Sequence, residues 1–96
     1  MTKPLHAFFP LGRIVATPGA LLALGVEGIG PDALLQRHVT CDWGELCEED
    51  GRENEVSMKE GFRILSAYVL PRSRIEIWVI TEADRTATTL LLPDEY

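Results

Sequence analysis

Three groups of side chains in this chain are of the types that do chemistry. His38, Cys41 and Cys47, with Asp42 adjacent, are residues that bind zinc, and His6 is the one further histidine able to complete a four-ligand set. Structural zinc sites ordinarily present a closely spaced cysteine pair, which the five residues between Cys41 and Cys47 do not supply. Cys41 could instead act as a nucleophile with His38 as its base, one helical turn away. Such a cysteine needs a lowered pKa, and Asp42, Glu45, Glu48 and Glu49 favour the thiol over the thiolate. Glu82 and Asp84 form the third group, with Arg85 beside them. Paired carboxylates can divide acid and base roles or hold a divalent cation. The same pattern also builds a turn, in which the aspartate accepts from backbone N–H groups and the arginine bridges to an acidic neighbour. None of these groups joins a nucleophile, a base and an orienting residue, so the sequence assigns no catalytic residue, no metal and no cofactor. Gly25, Gly28 and Gly30 follow no strand and have no nearby lysine, so they do not make a phosphate loop.

The binding candidates are of another kind. Trp43 and Trp78 offer large contact area with a single donor, the composition of interface anchors. Net charge is −6 and unevenly spread: residues 1–46 carry −1, residues 47–61 carry −4 and residues 62–96 carry −1. Glu48, Glu49, Asp50 and Glu53 thus make an acidic patch that disfavours direct nucleic-acid or membrane binding and suits a protein partner with a basic surface. A solvated helix face that maintains solubility has the same composition. With Glu82, Asp84 and Arg85 these residues form the binding set read from the sequence.

The elements that must position them follow from local signals. Residues 1–11, with Pro4, Pro10, Phe8 and Phe9, read as an extended N-terminal arm with one phenylalanine buried. Gly12 to Ala16 is a short strand. Thr17-Pro18 then reads as an N-cap followed by proline at the first helical position, and Gly25 as the end of that helix. Pro31 and Asp32 open a second helix with Leu34, Leu35, His38 and Val39 along one side. A charged third helix begins near Cys47 or Asp50 and ends at Gly61, with Asn54, Ser57, Met58, Gly61, Phe62 and Leu65 as its stripe. From Phe62 the period changes to two. Ile64 to Val69 is a strand, Pro71-Arg72-Ser73 a hairpin turn, and Ile75, Ile77, Val79 and Thr81 the apolar face of a central strand. On its other face Trp78 is expected to pack under a helix. Ala83-Asp84-Arg85 turns the chain into a last strand, Thr86 to Leu92. The predicted fold is α+β: a C-terminal antiparallel meander, three- to four-stranded, packed with two or three short helices.

At 96 residues, 46% apolar and 25% charged, the chain has the composition of one globular domain. Its longest uncharged run, Ile14 to Val26, is too short to span a bilayer, and the N-terminus lacks the apolar region of a secretory signal. The cytoplasm is the expected location, with both cysteines reduced. A small sheet also leaves open a homodimer through an exposed strand.

The segments RIVATPGAL (13–21), RHVTCDWGEL (37–46), EGFRILSAY (60–68) and WVITEADRTATTLLLP (78–93) together resemble a family of small uncharacterised bacterial proteins of about a hundred residues, carried on plasmids and integrative elements. The resemblance implies a mobile-element accessory protein and marks Asp42, Trp43, Gly44, Thr81, Glu82, Asp84 and Arg85 as shared. A type I restriction methyltransferase label attached to some members implies a cofactor-binding α/β domain far larger than this chain. Three functions compete. The first is a non-enzymatic, acidic protein-interaction module. The second is an inhibitor that mimics nucleic acid through Glu48, Glu49, Asp50 and Glu53 and blocks a restriction or CRISPR effector. The third is a small hydrolase or toxin-like enzyme using His38, Asp42, Glu82, Asp84 and Arg85, against which the acidic net charge speaks because RNA-cutting toxins are basic.

Overall fold

The computed structural model describes residues 7–96, so most of the expected arm, residues 1–6, lies outside the described residues. Within the remainder Phe9 is buried and Phe8 exposed. The chain then forms β1 (Arg13–Ala16), α1 (Pro18–Glu27), α2 (Pro31–Val39), α3 (Glu48–Glu60), β2 (Ile64–Val69), β3 (Glu76–Thr81), β4 (Ala87–Leu91) and a 3-10 turn, Pro93–Glu95. The fold is α+β, as read from the sequence.

Thr17 caps α1 as its type predicts, its Oγ1 accepting from Ala20 N at 3.2 Å with Pro18 in the first turn. The helix does not stop at Gly25. It continues to Glu27, because the residue that takes the left-handed closing conformation is Gly28. The Glu27 carboxylate then accepts from the backbone N–H groups of Arg72 at 3.1 Å and Ser73 at 2.8 Å, tying the end of α1 to the turn between β2 and β3.

The sheet order is β1-β4-β3-β2. The meander β2-β3-β4 is antiparallel as expected, with Ser66 opposite Val79 and Val79 opposite Leu90. The sheet as a whole is mixed rather than antiparallel, because β1 lies parallel to β4. Three helices separate β1 from the meander, and a connection of that length permits the parallel pairing a hairpin forbids. One face of the sheet is the core. Ile64, Ser66, Tyr68, Ile77, Val79, Thr81, Thr88 and Leu90 all point into it with no more than 1% exposure. Ala20, Ala23 and Leu24 of α1 and Leu34 and Leu35 of α2 cover it. Trp78 faces the other way. It is half-buried, its indole N–H donates to Glu76 Oε2 at 2.7 Å, and its ring meets Tyr96, the cap of the 3-10 turn, edge-on at 5.8 Å instead of packing among the core helices α1 and α2.

The third helix packs on the β2 edge through polar side chains. Asn54, 5% exposed, donates from Nδ2 to Leu65 O at 2.6 Å and accepts from Leu65 N at 3.1 Å, as a neighbouring strand would. Two residues on, Ala67 N donates to Trp43 O at 3.1 Å and Glu45 N donates to Ala67 O at 2.6 Å. The Trp43–Glu45 loop and Asn54 together close this edge. Phe62, expected on the packed stripe, is instead exposed beyond the helix end.

Replacing Asn54 leaves two backbone groups of β2 without partners, and each such group costs about 1–3 kcal/mol when it stays buried. Asn54→Ala should therefore lower unfolding free energy by about 2–4 kcal/mol in urea titrations, while Glu53→Ala beside it changes stability by less than about 0.5 kcal/mol.

Candidate functional site

His38 is the most buried titratable side chain among the described residues, at 0% exposure, and it joins four segments through one hydrogen-bond chain. Ser66 Oγ lies 2.5 Å from Nδ1, Thr81 Oγ1 lies 2.9 Å from Nε2, Thr88 Oγ1 lies 2.8 Å from Thr81 Oγ1, and Thr88 Oγ1 is 2.7 Å from the carbonyl of Leu11. The far end fixes three of the protons. A carbonyl only accepts, so the Thr88 hydroxyl donates to Leu11; Thr81 must then donate to Thr88, and Nε2–H to Thr81. Burial pushes the pKa of the ring down to about 4 and so favours the neutral form, in which Nδ1 is the lone pair that accepts from Ser66. Phe9 stands edge-on at 5.2 Å and Trp43 at 6.0 Å, closing the aromatic side. The ring is thus enclosed within the core.

The two cysteines that the sequence offers as its chemical partners are placed elsewhere. Cys41 Sγ rests 3.7 Å from Met58 Sδ, with its thiol pKa raised by burial and by Glu55. Cys47 is exposed at the start of α3. Among the described residues no three His, Cys, Asp or Glu side chains converge as a metal-ligand group, and His6 lies outside them.

Glu82, Asp84 and Arg85 form the turn into β4 and hold it to α3. The Arg85 guanidinium donates to Glu82 O at 3.0 Å, Ala83 O at 3.1 Å and Phe62 O at 2.8 Å through Nη1, and to Ser57 O at 2.9 Å through Nη2. The last two carbonyls belong to the end of α3 and the residue beyond its cap, where the helix dipole favours a cation. Asp84 accepts from Thr86 N at 3.1 Å and Thr86 Oγ1 at 2.6 Å, which lowers its pKa. Glu82 pairs with Arg63 at 3.5 Å on the outer side of the sheet. These three residues and Trp78 are therefore not gathered with Trp43.

Trp43 sits over a cleft. One side of its indole stacks on Phe9 at 6.4 Å, making it a lid on the small core of Phe9, Val39 and Ile64. The rest lines a cleft of about 410 Å³ with Cys41, Asp42, Leu46, Glu48, Gly51, Arg52 and Glu55. Gly44 must be glycine here: its φ is +74°, and a Cβ would run into the carbonyl of Ala67. Asp42 is fixed by Arg37 Nε at 2.6 Å and by Gly44 N at 3.2 Å, bonds that lower its pKa, the arginine bond most. Arg37 in turn lies over the Tyr68 ring at 4.5 Å, and the Tyr68 hydroxyl donates to Asp42 O at 2.6 Å. Asp50 and Glu53 line a second depression on the other side of α3, with Asn54 and Arg63. Glu49 is exposed. Of the residues read from the sequence, the structure thus gathers Asp42, Trp43 and Glu48 in one cleft and sets Asp50 and Glu53 in a separate depression across α3.

Arg52 and Glu55 line the cleft without having been anticipated. Their signal was available, since Glu48, Arg52 and Glu55 recur at i, i+4 and i+7 and so share one helix face. Ser66 and Thr88 gave none; a serine or threonine inside a strand reads as filler until the histidine across the fold is placed. No protein-family model, no curated protein and no solved structure matches the chain.

The buried imidazole has a consequence for pH dependence. An unfolded histidine titrates near 6.5 and this one near 4, so between these values the unfolded chain binds more protons and stability falls with pH. The loss should approach about 3 kcal/mol once pH is below 4. Urea unfolding of wild type and His38→Gln at intervals from pH 7 to pH 4 should show the slope in wild type and a flatter dependence in the variant.

Proposed function

We propose that the protein is a non-enzymatic accessory factor, an acidic module that binds a basic surface of a partner protein through α3 and the Trp43 cleft. The observation that carries this reading is the composition of the cleft wall. Glu48 and Glu55 face the space beside Trp43 together with Asp42, whose carboxylate Arg37 already holds, and Arg52 is the one cation among the lining residues. Such a surface attracts an arginine or lysine side chain and offers an aromatic rim to its aliphatic stem. Arg52 reaches Glu48 at 3.5 Å as an exposed i,i+4 pair, an interaction weak enough for a competing cation to displace. Glu49, Asp50 and Glu53 extend the same charge around the helix.

Support also comes from the use of the remaining reactive types. His38, Cys41, Asp84 and Arg85 are each spent on holding elements together, as described above, which leaves α3 as the side of the molecule with unspent charge. The mobile-element setting implied by the resemblance suits a protein that acts by occupying another. A nucleic-acid-mimicking inhibitor is the sharper form of the reading, favoured by the presence of acids on both sides of α3. A cytoplasmic setting fits its thiols. Among the described residues no helix is long and apolar enough to cross a membrane.

The test is affinity capture from host lysate with wild type beside a Glu48→Gln, Glu49→Gln, Asp50→Asn, Glu53→Gln variant, read by mass spectrometry. A partner retained by wild type, released by moderate salt and lost with the charges is the expected result. A partner bound equally by the neutral variant would reject the acidic-surface mechanism.

A further inference from the structure

The two edges of the sheet are treated differently. At β2 every outward backbone group of Leu65 and Ala67 is bonded, to Asn54 or to the Trp43–Glu45 loop. At β1 the bonds to β4 come from alternate residues: Arg13 N donates to Thr86 O at 2.9 Å and Thr17 N to Leu90 O at 3.0 Å. In a parallel ladder this alternation turns Ile14 and Ala16 outward. Among the described residues no side chain or backbone group bonds to that outer side. Exposed edges are ordinarily blunted by charge, proline or a covering segment. This strand carries one charge, Arg13, at its start.

The surroundings are apolar on the same side. No charged residue occurs from Ile14 through Val26. Ile14 is 44% exposed, Val15 40%, and on the helix that leaves β1 after Thr17 alone, Leu21 is 50%, Leu22 70% and Val26 73% exposed. A helix apolar all round is normally a buried one. Together these five side chains expose on the order of 500 Å² of apolar surface around the edge, Ile14 on the helix-covered face of the sheet and Val15 on the outer one. Beside Ile14 a mainly apolar groove of about 500 Å³ is lined by Phe9, Leu11, Leu35 and Val39, with Asp32 and Gln36 as its polar members.

We propose that a second copy of this chain covers this edge, pairing β1 with β1 antiparallel about a two-fold axis at Val15. The register follows from the outward residues. Ile14 faces Ala16 of the other copy in both directions, giving four backbone hydrogen bonds, and Val15 faces Val15 on the outer side of the sheet. Arg13 then lies opposite Thr17, so no like charges meet. The same operation swings the start of α1 of each copy, with Leu21 and Leu22, toward the apolar groove of the other. Doubling the exposed area reaches about 1,000 Å², the small end of biological interfaces and the size of a weak, reversible dimer. Charge disposition favours it too: the acid of α3 sits at the β2 edge, the far side of each sheet from the join. An eight-stranded sheet results.

Sedimentation equilibrium over increasing concentration, with hydrogen exchange read at single residues, tests this. The expected result is a reversible dimer in which the amides of Ile14 and Ala16 become protected as dimer forms. Ile14→Pro removes an outward N–H while sparing the bonds to β4, and should leave a folded monomer. Should that variant misfold, Leu21→Glu with Leu22→Glu, both on exposed helix surface, should weaken the dimer by at least ~10-fold. Wild type that stays monomeric up to about 1 mM overturns the proposal. So does a dimer whose Ile14 and Ala16 amides exchange at the monomer rate, or one that survives both sets of changes.

Discussion

The neutrality of His38 is the constraint on which the rest of this fold depends. One imidazole, contributed by α2, is held by hydroxyls from β2 and β3, and through Thr88 of β4 the chain ends on the backbone of Leu11. A purely apolar core would pack these strands and the helix without specifying how far α2 slides along the sheet. A directional chain, with three of its protons assigned by the carbonyl at its end, admits one position. All its members are satisfied, and no buried polar side-chain atom among the described residues lacks a partner, so the network stabilises where a half-satisfied one would destabilise.

Arg85 does for the periphery what His38 does for the centre. Its φ is +61°, and its guanidinium donates to four carbonyls, those of Glu82 and Ala83 in its own turn, Ser57 in α3 and Phe62 just beyond the α3 cap. With Asn54 one turn before Ser57 on the same buried face, α3 is attached to the sheet by polar side chains acting on backbone rather than by an apolar stripe. That is why a helix with only two buried residues, Asn54 and Ser57, keeps a defined place and leaves its carboxylates in solvent.

Much of the architecture was legible in the sequence, for local reasons. Thr17-Pro18, Gly61 and the change of period at Phe62 mark α1, α3 and β2 through backbone preferences that act over a few residues. What escaped was set by distance along the chain. The parallel placement of β1 depends on a pairing with β4 more than seventy residues away. Trp78 looked like a core residue by type, and is turned outward by the same alternation that buries Ile77 and Val79. For the candidate site, Trp43 and Asp42 stood out because of their types, whereas Arg37 and Tyr68, which fix Asp42, are invisible until the loop folds back on β2. The chemistry-bearing types misled most: His38 and Arg85 suggest reactivity in a list of residues and turn out to be the joints of the fold.

This economy shapes what the molecule can offer to others. A chain of this length has few charged and polar side chains to distribute, and burying one requires that its hydrogen bonds be met. Here His38, Asn54, Ser66, Thr81 and Thr88 are consumed inside. The surface is left polarised along the sheet, with acid on α3 at the β2 edge and an uncharged apolar stretch on β1 and α1 at the other. On the two proposals made above, surfaces of such different character would take two different neighbours, one recognised by salt-sensitive charge and one by strand pairing and burial. Because the two lie at opposite edges, occupying one leaves the other free, and a dimer joined at β1 would present its two acidic helices at the outer ends of a single sheet. Binding to a target with repeated basic sites would then gain from both ends acting together.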